Sequence, residues 1–204
     1  MIIKQPVKIK HGYTYQNFSR KNLGGFTLLE TMVAIAILLV AVTGPISIIG
    51  DSLHKLYYAR DQMVAVNLAQ EGIESVRTTA ETSMLNNKDV TDKVMENATG
   101  GVSNFVIDPY AVFQSGLAEK SLLSCDSACI ATKQDVYLDS AIGLYRQDKN
   151  SPSAGWTKTQ FKRLVTNTEV VAGKEVKIES KVTWNTGGQQ GSITVTENIF
   201  NWAL

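Results

Sequence analysis

Three groups of residues in this 204-residue chain have types and spacings that could do chemistry. The first is a lone carboxylate. Glu30 stands just before residues 31–50, a run of 20 residues without a single charge. A charge in or near lipid costs about 2 to 3 kcal/mol unless it is paired or reaches the headgroups, so the chemistry open to Glu30 is ion pairing at low dielectric. The plainer role for it is a carboxylate near a helix amino terminus, worth about 0.3 to 1 kcal/mol through the macrodipole. The second group is Cys125-Asp126-Ser127-Ala128-Cys129, which forms either a disulfide in an oxidising compartment or two free thiols. The third is the scatter of carboxylates, Asp135 and Asp139 among them, with His11 and His54 as the only histidines.

This third group excludes most catalysis. Both histidines lie before the region that would form a folded head, so no Ser-His-Asp or Cys-His set can be assembled there. Zinc wants about four ligands, and no metal site or cofactor is expected. Gly187, Gly188 and Gly191 fall in a turn rather than after a strand as a phosphate-binding loop requires. Asp135 and Asp139 read as a solvated surface, and Trp184, Trp202, Phe200 and Tyr145 as strand packing rather than a ligand platform. The chain is not expected to be an enzyme.

The elements that must position these residues follow from hydropathy. Twenty helical residues at about 1.5 Å each span about 30 Å, the thickness of a bilayer's hydrocarbon core. Residues 1–25 carry Lys4, Lys8, Lys10, Arg20 and Lys21 and no acid; taking these five from the 20 basic residues leaves 15 against 19 acids, net −4. That asymmetry places the basic leader in the cytoplasm and the head outside by the positive-inside rule. It also leaves no electrostatic footprint for nucleic acid on the head. Gly44-Pro45 interrupts the apolar run, where the proline cannot donate to Ala41 and a kink or loosened turn is expected.

Beyond the run, residues 51–77 read as an amphipathic helix carrying Leu53, Leu56, Tyr57, Met63, Val64, Leu68, Ile73 and Val76 on its apolar side. A short helix is predicted around residues 89–96 and strands within 102–113, broken at Asp108-Pro109, with further short strands at 136–138 and 144–145. The last third alternates clearly. Residues 161–171, 175–184 and 192–200 form three strands, the last two joined by the glycine-rich turn at 185–191, so an antiparallel meander is expected to cover the helix in an α+β head.

The stretch Gly25-Phe26-Thr27-Leu28-Leu29-Glu30, followed by its apolar run, resembles the amino-terminal signal of type IV pilins and of the pseudopilins of type II secretion. That resemblance implies cleavage by a prepilin peptidase between Gly25 and Phe26, N-methylation of Phe26, and an assembly role for Glu30, the fifth mature residue, opposite a neighbour's amino terminus. It likewise implies a helix break at Gly44 and Pro45 that loosens on packing. Asn67-Leu68-Ala69-Gln70-Glu71-Gly72-Ile73-Glu74 also resembles a stretch recurrent in pilin-like proteins.

The expected organisation is a cleaved basic leader at 1–25, a transmembrane and polymerisation helix at 26–50, an amphipathic half at 51–79 and a globular α+β head at 80–204. The expected function is a structural subunit, a minor pilin or pilin-like protein, of a type IV pilus-type filament. Its partners would be other pilin subunits in a homo- or heteropolymer, the prepilin peptidase, a membrane assembly platform, and the lipid bilayer before assembly. Its location would be the cytoplasmic membrane, as a single pass with the head outside, and then an extracellular filament. The alternatives are a pseudopilin of a secretion or DNA-uptake machine and a membrane-anchored binding domain that never polymerises.

Overall fold

The computed structural model describes residues 25–117, 120–147 and 155–201. Its elements are α1 (Leu28–Leu85), α2 (Val90–Val94), β1 (Val102–Ile107), α3 (Pro109–Ser115), β2 (Leu122–Ser124), α4 (Ser127–Thr132), β3 (Asp135–Asp139), β4 (Leu144–Arg146), β5 (Trp156–Val171), β6 (Glu175–Thr186) and β7 (Gln189–Phe200). The architecture is α+β: a long amino-terminal helix followed by a seven-stranded antiparallel sheet. Two compact units divide the chain, Met1–Ile48 and Ile49–Leu204.

In the first unit the helical residues are apolar and exposed on every side, as at Leu29, Ile35, Leu39 and Ile46. Helical hydrogen bonding suits such a segment because it satisfies the backbone internally, the condition for a chain in lipid. The hydroxyls follow the same rule: Thr31 Oγ1 donates to the Leu28 carbonyl at 2.8 Å and Thr43 Oγ1 to the Val40 carbonyl at 3.1 Å. The helix runs without interruption through Gly44 and Pro45.

In the second unit the sheet is organised on β5. One edge of β5 pairs with β6 and through it β7, a meander whose β5–β6 register shifts once, between Glu169 and Val171. Its other edge is shared, β1 pairing with 165–168 and β3 with 156–162, with β2 beyond β1 and β4 beyond β3. Alternation on β6 decides which face is buried: Val176, Ile178, Ser180, Val182 and Trp184 are inside. The face of α1 they meet holds Ala65, Leu68, Ala69, Gly72, Ile73, Val76 and Ala80.

This stripe differs from the one expected. Leu53, Leu56, Tyr57 and Met63 are between 48 and 70% exposed and lie off the sheet-facing side. Leu68, Ile73 and Val76 of the expected stripe are buried in the seam, and the places between them are filled by small residues, which let backbones approach closely. A Cβ on Gly72 would sit 2.4 Å from Ser180 Oγ and 3.0 Å from Val165 Cγ2. The helix also outlasts the expected end near 77, reaching Leu85. Ala80 and Met84 continue the buried period into the core, and Thr78, Thr79, Thr82 and Ser83 return their hydroxyls to carbonyls four residues back. After β1 the chain enters a helix rather than a second strand, since Asp108 caps the Tyr110 amide and Pro109 occupies the first helical position.

Polar ties fix the register of helix and sheet. Arg163, wholly buried, donates Nη1 to the Leu68 carbonyl (3.0 Å) and to Glu71 Oε2 (2.5 Å), Nη2 to the Ile107 carbonyl (3.0 Å) and Nε to Gln147 Oε1 (2.9 Å). Burial pulls its pKa down while Glu71 and Asp108 hold it up, with burial the larger effect. Gln147 closes the split between β1 and β3: its side chain accepts from Ile107 N and donates to the carbonyls of Gln134 and Arg163. Further along, Arg77 of α1 pairs with Glu197 of β7. Near the start of this unit the β6–β7 turn meets α1, where Thr186 Oγ1 donates to buried Asp61 at 2.6 Å and His54 lies against Gly187. Burial raises the Asp61 pKa, but hydrogen bonds from Thr186, Arg60 and Gln160 and the charge of Arg60 outweigh it, so the net shift is downward.

Breaking a buried pair by removing one partner costs about 3 to 5 kcal/mol, so Arg163→Met should lower thermal stability by about 6 to 20 °C in a unit of this size. Gly72→Ala should cost about 1 to 3 kcal/mol through overpacking, with Ser180→Gly restoring part of it; equal melting of Gly72→Ala with and without that second change would disprove the close approach. Because the folded pKa of Asp61 lies below its usual 3.8, its stabilisation is complete above that pH and lost as pH falls beneath it. Asp61→Asn should therefore flatten the acid limb of the stability curve below about pH 4, measured by denaturant titration across pH.

Candidate functional site

The site residues named from the sequence fall into two separate places. The first is the start of α1. Gly25, Phe26 and Thr27 are not helical, Phe26 is 79% exposed, and the helix begins at Leu28. Peptide bond 25–26 thus lies in accessible, irregular chain, the form a protease needs. Glu30 falls in the first turn, exposed, where the helix dipole favours a carboxylate. Its amide donates to Thr27 Oγ1 at 3.2 Å. Among the described residues, the Glu30 carboxylate makes no hydrogen bond or ion pair within the chain. Gly44 and Pro45 lie farther along the same helix, and nothing lies within 4 Å of where a Gly44 Cβ would stand.

The second place is the loop between β2 and α4, where Cys125 and Cys129 are joined by a disulfide with Cα atoms 5.2 Å apart. Local structure makes the approach possible. Cys125 directly follows β2 and its amide donates to the Asn104 carbonyl at 2.7 Å. Asp126 turns the chain in an extended conformation and caps α4 by accepting from the Cys129 amide at 2.8 Å. Only Cys129 is in the helix. The bridge borders an open groove of about 1190 Å³ whose walls include Asn97, Ser103, Ser124, Asp126, Thr132 and Lys133. Ser103 and Asp126 are already engaged, with Glu96 O and the Cys129 amide.

The remaining chemically suggestive residues are spread apart. Asp135 pairs with Lys158 at 2.6 Å and Lys162 at 4.0 Å, while Asp139 accepts from the Ala141 amide. Trp184 is buried against Tyr58, with ring centroids 5.8 Å apart; its indole lies over Gly191, where a Cβ would come within 2.3 Å of the ring. Tyr145 packs partly buried on the same cluster, whereas Phe200 is 42% exposed at the end of β7. His11 and Trp202 lie outside the described residues. Among the described residues, no group of three or more His, Cys, Asp or Glu could hold a metal ion.

Two features were not read from the sequence. The Arg163 cluster was hidden because its partners come from α1, the end of β1 and the segment after β4. A basic residue inside an alternating strand was the available signal: Arg163 sits between Phe161 and Val165 on the inward face. The second feature, Thr27 opposite Glu30, does carry a sequence mark, the Thr-x-x-Glu spacing of a capping box.

Reducing the bridge should cost about 2 kcal/mol in the chain-entropy model for so small a loop. Thiol blocking before and after reductant should give two added labels only after reductant; labelling of both cysteines without reductant would show the bridge absent in the native protein.

Among the described residues one helix, Leu28–Leu85, is long and apolar enough to cross a membrane, and its apolar stretch is exposed. Residues 20–44 match the family model described as the prokaryotic N-terminal methylation motif. No curated protein and no solved structure matches the chain. That motif marks structural pilin-type proteins rather than an enzyme family, and with the apolar helix it points to membrane anchoring. This chain carries the amino-terminal signal of type IV prepilins and joins it to a pilin-like α+β architecture.

Proposed function

We propose that the chain is a structural subunit, a minor pilin or pilin-like protein, of a type IV pilus-type filament. In this reading a prepilin peptidase cuts between Gly25 and Phe26, the new Phe26 amine is methylated, and the subunit waits in the cytoplasmic membrane with its head outside. Polymerisation then moves the apolar helix from lipid into the filament, against the helices of other subunits. The carrying observation is the methylation motif at 20–44 running directly into an apolar helical stretch whose side chains stand exposed among the described residues. An apolar surface of that extent needs lipid or other subunits around it.

Within this reading Glu30 pairs with the Phe26 ammonium of a neighbouring subunit. Two opposite charges attract strongly only when water is excluded, so the pair selects one register between subunits more than it adds net stability. Pro45, without an amide to donate, gives the helix one turn that loosens at little cost when subunits pack.

Mass spectrometry of the amino terminus of the membrane-extracted protein tests the pathway: methylated Phe26 is the expected species. An intact leader in cells with an active prepilin peptidase would reduce the protein to an anchored domain. Glu30→Ala should be processed normally yet fail to enter filaments, and normal incorporation of that variant would remove its assembly role.

A further inference from the structure

The sheet treats its edges unequally. On one side it ends in β2 and β4, of three residues each. On the other it ends in β7, 12 residues that pair with β6 at every position from 189 to 200 without a bulge. Folded proteins blunt an edge with short strands, bulges, proline or charge, because a row of unpaired N–H and C=O groups is a template for another strand. β7 has none of these devices. It holds no proline, lysine or arginine, and its one charged residue, Glu197, is already paired with Arg77. Among the described residues, β7 pairs with no strand but β6.

The hairpin decides which groups are open. Gly187 and Gly188 form a two-residue turn closed by Thr186 and Gln189, and hydrogen-bonded pairs alternate along an antiparallel ladder. Residues 190, 192, 194, 196 and 198 therefore turn their main-chain groups away from β6. Their side chains, Gln190, Ser192, Thr194, Thr196 and Asn198, are exposed and uncharged. On the opposite face Ile193, Val195 and Ile199 lie beside Val182, Ser180 and Val176 of β6. Those three β6 residues are buried, whereas their β7 neighbours, with no strand on their far side, stay half-buried.

We propose that the free edge of β7 is a self-pairing site, at which two copies of this chain join β7 to β7 antiparallel about a two-fold axis at Thr194. The strand itself argues for a second copy as the occupant. In that register Thr194 meets Thr194, Ser192 meets Thr196 and Gln190 meets Asn198 on the exposed face, a row with no charge to repel its twin. On the other face Ile193 meets Val195 twice, which completes the half-covered apolar row of both copies, and Glu197 falls opposite Gly191, which has no side chain. Moving the axis to Val195 would set Ile193 against Glu197, so the pattern selects one register. A two-fold contact closes on two copies and does not propagate. Where the contact acts rests on the filament-subunit reading given above: subunits drawn from one membrane with their heads outside share one polarity, so the pair joins heads of two filaments and not neighbours within one.

The test uses the full-length chain extracted in detergent, oxidised and separated without reductant. Thr194→Cys is compared with Lys181→Cys, an equally exposed position on β6, directly across from Thr194 and one strand in from the edge. Thr194→Cys should give a covalent dimer of this chain, since facing Cα atoms of a hydrogen-bonded antiparallel pair are about 5.5 Å apart, within disulfide reach. Lys181→Cys should link about ten-fold less. Sedimentation of the unlinked chain supplies a second measurement. Thr194→Pro, which removes an N–H that β6 does not use, should weaken the dimer about ten-fold while leaving thermal melting within a few degrees of the parent. A Thr194→Cys variant that melts normally yet stays monomeric would overturn the proposal. So would equal linking at Lys181→Cys, a linked species whose second chain is another protein, or a dimer undiminished by Thr194→Pro. Filaments sheared from the same cells separate the two readings. If Thr194→Cys links but the parent chain enters no filament, self-pairing stands and the filament reading falls; if filaments form and Thr194→Cys stays unlinked, only this inference falls.

Discussion

The second unit depends on one buried cation. Arg163 occupies the place where β5 changes partner from β3 to β1, a split that would leave backbone groups of both neighbours without hydrogen bonds. Its guanidinium reaches α1 through Leu68 and Glu71, the end of β1 through Ile107, and the segment after β4 through Gln147. A buried charge is tolerated only when its donors are met, and the planar fork of arginine meets several acceptors at fixed angles where lysine could not. One side chain thereby sets the depth of the helix on the sheet and the register of the split strands together.

Gly72 completes that constraint, for the helix can approach β5 and β6 closely only where it has no Cβ. Leu68, Glu71 and Gly72 lie within five residues of one another, which gives a physical content to the stretch at 67–74. Glu71 is the counter-ion of the buried arginine and Gly72 is the contact point beside it. The apolar clusters on either side, around Ile73 and Val76 and around Leu68 and Trp184, then pack against a helix whose position is already fixed.

The residues of the apolar segment obey a different solvent. Large aliphatic side chains stand exposed along it, the hydroxyls of Thr31 and Thr43 are spent on neighbouring carbonyls, and its acid sits at the amino end where the dipole favours it. The same 3.6-residue period serves both halves of α1. What differs is whether the side chains close on a sheet or stand exposed as large aliphatic groups.

The sequence by itself determined the parts in which a local pattern leaves a single physical solution. Twenty uncharged residues after a basic stretch, the Gly25-to-Glu30 motif and the strict alternation of β6 and β7 each have one such reading, so the prepilin signal, the apolar helix and the meander were legible. The Gly187-Gly188 turn was legible for the same reason, since positive φ is decided by neighbours in the chain. Tertiary structure alone decided which helix face meets the sheet, because alanine and glycine score weakly as hydrophobic yet allow the closest approach, while Leu56 and Met63 score strongly and face outward. It also carried the helix to Leu85 and assembled the Arg163 cluster. Those outcomes depend on partners far apart in the chain, 95 residues for Arg163 and Leu68, which no local window contains.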